Sequence, residues 1–450
     1  MRSIAMIAAA GLLAAACGST AGAQPAVVLG APSATTAPTF VSAVPSPTAS
    51  SGAVAPVSAG AVPDAGIVYV WGADDGIYRY DGATGALSRV SGASTLARES
   101  ADGPYVLGRH GGTTLLRWDG TTQQVCGGGN WSAFSTRGTC AFTGSGGDSA
   151  VYTSSTGQDG SPVSQMILPA EWGAGSFAWD GNGLELAVTR GESRPEPVRW
   201  HSTLWVMDVG HGSPRKIFDS ASPTSYLSIL GWSGRRIAVL ETDSTSASAS
   251  ADGANLHLWV IDADTGRKID LGHVIYQPRW SSDGRLAFVR GGDRFTWTHK
   301  ELAILDHDWN VSVVAGGVTT IALAPAWQPV YSGARIAWIE APDTDECCVR
   351  YVAGLGPSAQ RVAVLDTAAG QKRMSCPGMV TEGVRWASDG RSVLLLCRVP
   401  GVEYHALQVW YAPIDGAPRA LVTGLGDLAF GYYGKQPSLL DITAWSLADR

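Results

Sequence analysis

The sequence predicts an all-β protein: a β-propeller of seven or eight four-stranded blades, preceded by an export signal and a disordered tether. Three observations predict it. Glycine (56 residues) and proline (24) are plentiful while only 16% of residues are charged, a mix that favours short strands and tight turns over helices. A motif of apolar strands and polar turns recurs about every 50 residues from Ile67 onward. Apolar residues make up 45% of the 450, enough to bury a large core.

Residues 1–17 read as the export signal. Arg2 supplies the positive start, and Ile4 to Leu13 supply an apolar run too short to span a bilayer. The run Leu13-Ala14-Ala15-Ala16-Cys17 resembles the lipobox of bacterial lipoproteins, with leucine one place further from the cysteine than that pattern sets it. The resemblance implies that Cys17 is lipidated and becomes the mature N-terminus. The other reading is an ordinary secretory signal cut at a nearby Ala-x-Ala site. Residues 18–65 are almost all Ala, Ser, Thr, Pro, Gly and Val, with Phe40 as their one aromatic. Such a stretch buries too little apolar surface to offset its ordering entropy. It is expected to be a flexible linker spanning roughly 40 Å, and residues 66–450 are expected to fold as the propeller.

Two half-motifs alternate through that domain. One is an apolar strand closed by an acidic turn: Leu204-Trp205-Val206-Met207-Asp208, Leu258-Trp259-Val260-Ile261-Asp262, Leu302–Asp306 and Val362–Asp366. In Asp262-Ala-Asp-Thr-Gly266 the aspartate is expected to cap the turn and the glycine to take the positive φ that reverses the chain. The other half is an aromatic, a small polar turn and a second apolar strand, clearest in Trp280-Ser-Ser-Asp-Gly284 before Leu286–Val289 and in Trp386-Ala-Ser-Asp-Gly390 before Val393–Leu396. Each unit is four short strands that cannot bury both faces alone, so neighbouring sheets must stack, and closing the stack into a ring removes its exposed ends. If Ile67–Val90 closes the ring beside a last strand pair near Leu439–Leu447, the blades number eight; otherwise they number seven.

These residues resemble the TolB-like, WD40-like propeller repeat of bacterial envelope proteins, here with Ser282 or Ser388 at the usual proline position and often tryptophan at the tyrosine position. The resemblance implies architecture rather than activity. TolB proper carries an α/β domain where this chain has the 18–65 linker, and prolyl-oligopeptidase relatives carry a hydrolase domain beyond the propeller, where this chain ends at Arg450. Neither a Tol role nor a peptidase is therefore expected.

Within such a blade the Asp-Gly turns fall on one face, and the connections after the Leu286–Val289-type strand fall on the other. The second set is expanded: Gly191–Ser202, Glu241–Asn255, Gly291–Lys300, Glu340–Gln360 and Val399–His405. Loops held on a rigid scaffold are where binding concentrates. Arg199, Trp200, His201, Arg294, Trp297, His299, Tyr351 and Tyr404 are expected to project there as ligand-binding residues, since arginine with aromatics matches the composition of interface cores and aromatic platforms also suit sugars. The plainer reading folds those aromatics back onto their own blades. The Glu241–Asn255 insertion is low in complexity and reads as solvated loop.

With Cys17 assigned to the lipid, six cysteines remain in an exported chain, and an even number there suggests disulfides. Cys126 and Cys140 are expected to pair within one blade. Cys376 and Cys397 either pair likewise, leaving the adjacent Cys347 and Cys348 as a vicinal bridge, or each takes one of that pair. The second arrangement, two bridges tying the longest loop to its neighbouring blade, is the expected one. No Cys-x-x-Cys spacing suggests a metal, and Asp343, Asp345 and Glu346 lack a calcium-loop pattern.

The 32 basic and 39 acidic residues (net −7) form no basic stripe, so nucleic acid is not an expected partner. His-Glu-x-x-His, Gly-x-Ser-x-Gly and a phosphate-cradling glycine loop do not occur. No catalytic residue, cofactor or metal is assigned. The expected role is a lipid-anchored extracytoplasmic module that binds an envelope protein or cell-wall polysaccharide, touching the membrane only through its lipid. The alternative is a propeller-type polysaccharide hydrolase or lyase with carboxylates brought together across blades.

Overall fold

The structure, a computed structural model, describes residues 55–425 and 443–446 except 73, 75, 92–93, 101–102, 109–112, 127–131, 136–138, 145–149, 157–161, 194–199, 211, 223–224, 244–256, 274–277, 282, 292–299, 316–325, 331–332, 341–360, 367–369, 388–390 and 400–406. The signal, Cys17 and most of the linker lie outside these residues. Among the described residues no helix is long and apolar enough to cross a membrane.

Antiparallel hydrogen bonding gathers the strands into four-stranded sheets. Six sheets, here numbered 2 to 7, each consist of four consecutive strands between Ser94 and Met374. Two more are assembled where the chain ends meet. In sheet 1 the C-terminal strand Thr443–Ser446 pairs with Ile67–Trp71 and completes Ile77–Asp81 and Leu87–Ser91. In sheet 8, Val57–Ser58 adds a fifth strand to the outer edge of the four between Val380 and Thr423. The expected closure by the first half-unit and a last strand therefore forms.

Strand alternation sends successive side chains to opposite faces of each sheet, and both faces are apolar because both are covered. One buried cluster fills each junction. Ala187, Leu204 and Phe218 of sheet 4 pack on Ile237, Val239 and Ile261 of sheet 5. The other face of sheet 5 packs through Leu258 and Val260 on Leu286 and Phe288 of sheet 6. The series ends with Leu394, Val409 and Leu421 of sheet 8 against Val68, Val70 and Tyr80 of sheet 1, so the stack closes on itself. That closed stack is a β-propeller.

An N-terminal strap reinforces the seam. Val57 pairs with Thr423 and Ser58 with Val422. Tyr80 of sheet 1 donates its hydroxyl to the Gly60 carbonyl (2.7 Å), and Val62 and Ala65 are buried in the seam cluster. A Cβ on Gly82 would lie 2.6 Å from the Val62 carbonyl oxygen, so the strap approaches as closely as glycine permits.

The short turns show why their sequences recur. Asp262 Oδ1 accepts from the backbone N–H of Asp264 (3.1 Å) and Thr265 (2.8 Å), and Gly266 takes φ 70°, as expected. The turn after Leu305 departs from the pattern: Trp309, not glycine, takes φ 69°. Its ring lies beneath the guanidinium groups of Arg267 (4.7 Å) and Arg236 (5.8 Å), contacts that offset the backbone cost.

The turn face is clamped by cations. Arg236, buried in sheet 5, donates to the carbonyls of Asp306 (2.5 Å) and Gly284 in sheet 6 and stacks over Trp280. Arg215 reaches Ala263 O from sheet 4 to sheet 5 (2.7 Å), and Arg79 reaches Trp118 O from sheet 1 to sheet 2 (2.9 Å).

Candidate functional site

Sheets 4 and 5 show how the opposite face is built. Sheet 4 runs through Ala174–Trp179, Glu185–Ser193, Trp200–Asp208 and Arg215–Asp219; sheet 5 through Ser225–Ser233, Arg236–Asp243, His257–Asp262 and Lys268–His273. The ends at Ser193/Trp200 and Asp243/His257 lie on one face, with the 219–225 connection between the sheets. This is the expanded-loop face.

Ile237, Val239, Trp259 and Ile261 point into the junction with sheet 4. Two residues further along the same strands, Glu241 and His257 must point the same way. There the apolar packing ends and a cleft of about 310 Å³ opens, lined by Ser220, Ser222, Glu241, Thr242, His257 and Asp270 above the Trp259 ring. Glu241 is fixed at both oxygens: the Ser220 hydroxyl donates to Oε1, and Trp259 Nε1 donates to Oε2 (2.6 Å). Asp270 Oδ1 accepts from Gly272 N (2.8 Å), while Oδ2 lies 3.1 Å from His257 Nδ1. The Trp259 ring is itself engaged, with Phe218 at 5.4 Å and the Lys268 ammonium at 5.6 Å from its centroid.

On the far side of sheet 4 a second group gathers. Arg190 donates to Trp172 O (3.1 Å) and lies over the rings of Trp172 (5.5 Å) and Trp205 (5.9 Å). His201 Nε2 meets Asp219 Oδ1 at 2.8 Å, and Lys216 Nζ meets Asp219 Oδ2 at 2.7 Å. Burial alone would raise the Asp219 carboxyl, but the hydrogen bonds from Lys216 and His201 outweigh it and hold it below the ordinary carboxylate range.

These positions correct the sequence reading at several points. His201 was expected to project from a loop; it lies in a strand paired with Glu192, is 3% exposed, and its Nδ1 is buried without a partner. The reason is that the strands continue to Ser193 and resume at Trp200, so the loop is shorter than its glycine and prolines suggested. Trp200 opens that second strand, and nothing is described of its side chain. Arg199, Arg294, Trp297, His299, Tyr351 and Tyr404 lie outside the described residues, as do Asp343, Asp345 and Glu346.

Cys376 and Cys397 are bonded to each other across a separation of 21 residues. This overturns the expected bridges from Cys347 and Cys348 to that pair, because the connection before sheet 8 folds back onto the end of Ser392–Arg398 and brings its own cysteines together. Cys347 and Cys348 are outside the described residues. Cys140 is disulfide-bonded; the side chain of Cys126, its expected partner, is outside them too. Among the described residues no three His, Cys, Asp or Glu side chains gather as a metal site.

Sequence reasoning missed Ser220, Glu241, His257, Trp259 and Asp270. The readable signal was the alternation that puts Glu241 in line with Val239, and His257 in line with Trp259.

No protein-family model and no curated protein matches the chain. Among solved structures, the dipeptidyl peptidase 4 of Porphyromonas gingivalis is similar over 84% of this chain and 60% of its own, with a TM-score of 0.52 and 11% identity. The oligogalacturonate lyase of Vibrio parahaemolyticus is similar over 80% and 97% (TM-score 0.46, 10% identity). The β-propeller domain of the Trilobed protease from Pyrococcus furiosus is similar over 65% and 82% (TM-score 0.35, 10% identity). The likeness to the peptidase is one of fold, and this chain spans three-fifths of that chain's length.

Proposed function

We propose that the chain is a lipid-anchored, extracytoplasmic β-propeller that binds an envelope protein or cell-wall polysaccharide through its expanded-loop face. One observation carries the reading: the apolar junction between sheets 4 and 5 gives way, on that face, to a cleft of about 310 Å³ lined by hydroxyl, carboxylate and imidazole side chains above the Trp259 ring, within the size range of ligand sites. The resemblance of the repeat to TolB-like envelope propellers supports the location. The lipobox-like run before Cys17 supports the anchor, with residues 18–65 as its tether.

The second reading, a polysaccharide hydrolase or lyase, is favoured by Glu241 and Asp270 facing one cleft. Against it, the first strands of sheets 4 and 5, Ala174–Trp179 and Ser225–Ser233, contribute nothing to the cleft's lining.

The test is capture from detergent-solubilised envelope by the full-length protein, beside a Glu241→Gln, Asp270→Asn variant. A partner held by the first and lost by the second is the expected result. No partner, or one held equally by both, overturns the binding role. Mass spectrometry of the mature protein is expected to find a lipid-modified Cys17; an unmodified N-terminus downstream of residue 17 overturns the anchor.

A further inference from the structure

The cleft's walls specify the charge of what it holds. We propose that it is a cation-selective subsite that takes the guanidinium or ammonium of an arginine or lysine side chain on a protein partner; this rests on the binding reading above.

The charge count comes first. Glu241 and Asp270 contribute two carboxylates, and among the described residues no lysine or arginine lines the cleft. Among the described residues the basic groups beside it are His257, 3.1 Å from Asp270 Oδ2, and Lys268, which lies over the rings of Phe218 (4.9 Å) and Trp259 (5.6 Å). A carboxylate oxygen accepts more than one hydrogen bond, so the donors already on Glu241 and Asp270 fix their orientation and leave acceptor capacity for a ligand. Ser222 and Thr242 add hydroxyls of either polarity.

The ring chemistry separates protein from polysaccharide. A sugar site built on Trp259 would need an open ring face. Trp259 lines the cleft, but its N–H is held by Glu241 and its ring is already shared with Phe218 at 5.4 Å and the Lys268 ammonium at 5.6 Å. What remains for recognition is fixed negative charge in a partly enclosed space, the arrangement that favours charge-assisted, forked hydrogen bonds to guanidinium. Polyuronates are repelled by the same charge.

The experiment is fluorescence polarisation of a labelled tetra-arginine peptide with the full-length, detergent-solubilised protein in about 0.15 M salt, where long-range attraction to the protein's net charge is screened. Glu241→Gln removes the charge while its carbonyl oxygen can still accept from Trp259 Nε1 and its amide can donate to the Ser220 hydroxyl, and in Asp270→Asn the carbonyl can still accept from Gly272 N with the amide facing His257. Each is expected to weaken binding at least tenfold with an unchanged melting temperature, and Asp308→Asn on the turn face is expected to leave binding unchanged. If Glu241→Gln alters the melting temperature, Asp270→Asn alone decides. Unlabelled tetragalacturonate and a glucosamine tetramer serve as competitors, the second carrying amines on a sugar; both are expected to compete at least tenfold more weakly than unlabelled tetra-arginine. Equal weakening by Asp308→Asn, or competition by either sugar as strong as the peptide's, overturns the proposal. Loss of peptide binding alongside successful envelope capture overturns this subsite alone. Peptide binding without any captured partner overturns the envelope role alone.

Discussion

The two faces of the ring put charged side chains to different uses. On the turn face, Arg79, Arg215 and Arg236 each cross to the next sheet and donate to its turn carbonyls, and Trp309 accepts a strained backbone to stack on two of the ring's arginines. Cationic charge there is consumed in holding sheets together. On the expanded-loop face, carboxylates at the sheet 4–5 junction are oriented by neutral donors, Ser220, Trp259 and Gly272, and among the described residues no lysine or arginine lines their cleft. A propeller has to close, and it also has to leave something to be recognised. On the binding reading proposed above, the two tasks fall to opposite ends of the same strands.

That division predicts how the two faces respond to change. The largest effect belongs to Arg236→Ala, which removes two charge-assisted hydrogen bonds and two cation–π contacts from a buried position. It should cost about 4 kcal/mol in urea unfolding, while ligand capture by the folded fraction stays unchanged. A loss of capture at unchanged stability would erase the contrast between the faces.

Next is the loop face's own staple. Replacing both Cys376 and Cys397 by alanine should cost about 3 kcal/mol, the loop-closure value for a separation of 21 residues; reductant, which also opens the Cys140 bridge, should cost the wild type at least as much. Tyr80→Phe loses one hydrogen bond to the strap, and a fall of about 1 kcal/mol is expected. An unchanged midpoint would show that the strap does not hold the seam.

The smallest effect is electrostatic. Asp219 has a lowered pKa in the folded protein, against 3.8 for the free group. A carboxyl depressed by folding stabilises above its unfolded pKa, and that contribution is lost as pH falls through the folded value. Asp219→Asn should therefore lower stability at pH 7, by less than about 1 kcal/mol because the side chain is 47% exposed, and the gap should close towards pH 3. A gap that widens on acidification would reverse the assignment.

Much of the scaffold is legible in the residues themselves. Trp280 and Trp386, each followed by a polar turn, mark the first strands of sheets 6 and 8, and Asp262 with Gly266 names its turn. These are local signals, repeated. The cleft is not local. Ser220, Glu241, His257 and Asp270 come from a connection and three strands of sheet 5; strand pairing sets Glu241 opposite His257, and the connection from sheet 4 adds Ser220. Glu241 also opens a low-complexity insertion, so composition hid a residue that strand alternation places beside the core. His201 fails in the opposite sense: a polar, proline-rich neighbourhood suggested exposure, and strand pairing buries it.

The most direct test of the account is a pair of photo-cross-linking substitutions, Thr242→p-benzoylphenylalanine at the cleft and Asp308→p-benzoylphenylalanine on the turn face, in the full-length protein within the envelope. A covalent adduct formed from position 242 and absent from 308 is the predicted result. Adducts from 308 alone, or equally from both, would contradict the assignment of recognition to the expanded-loop face.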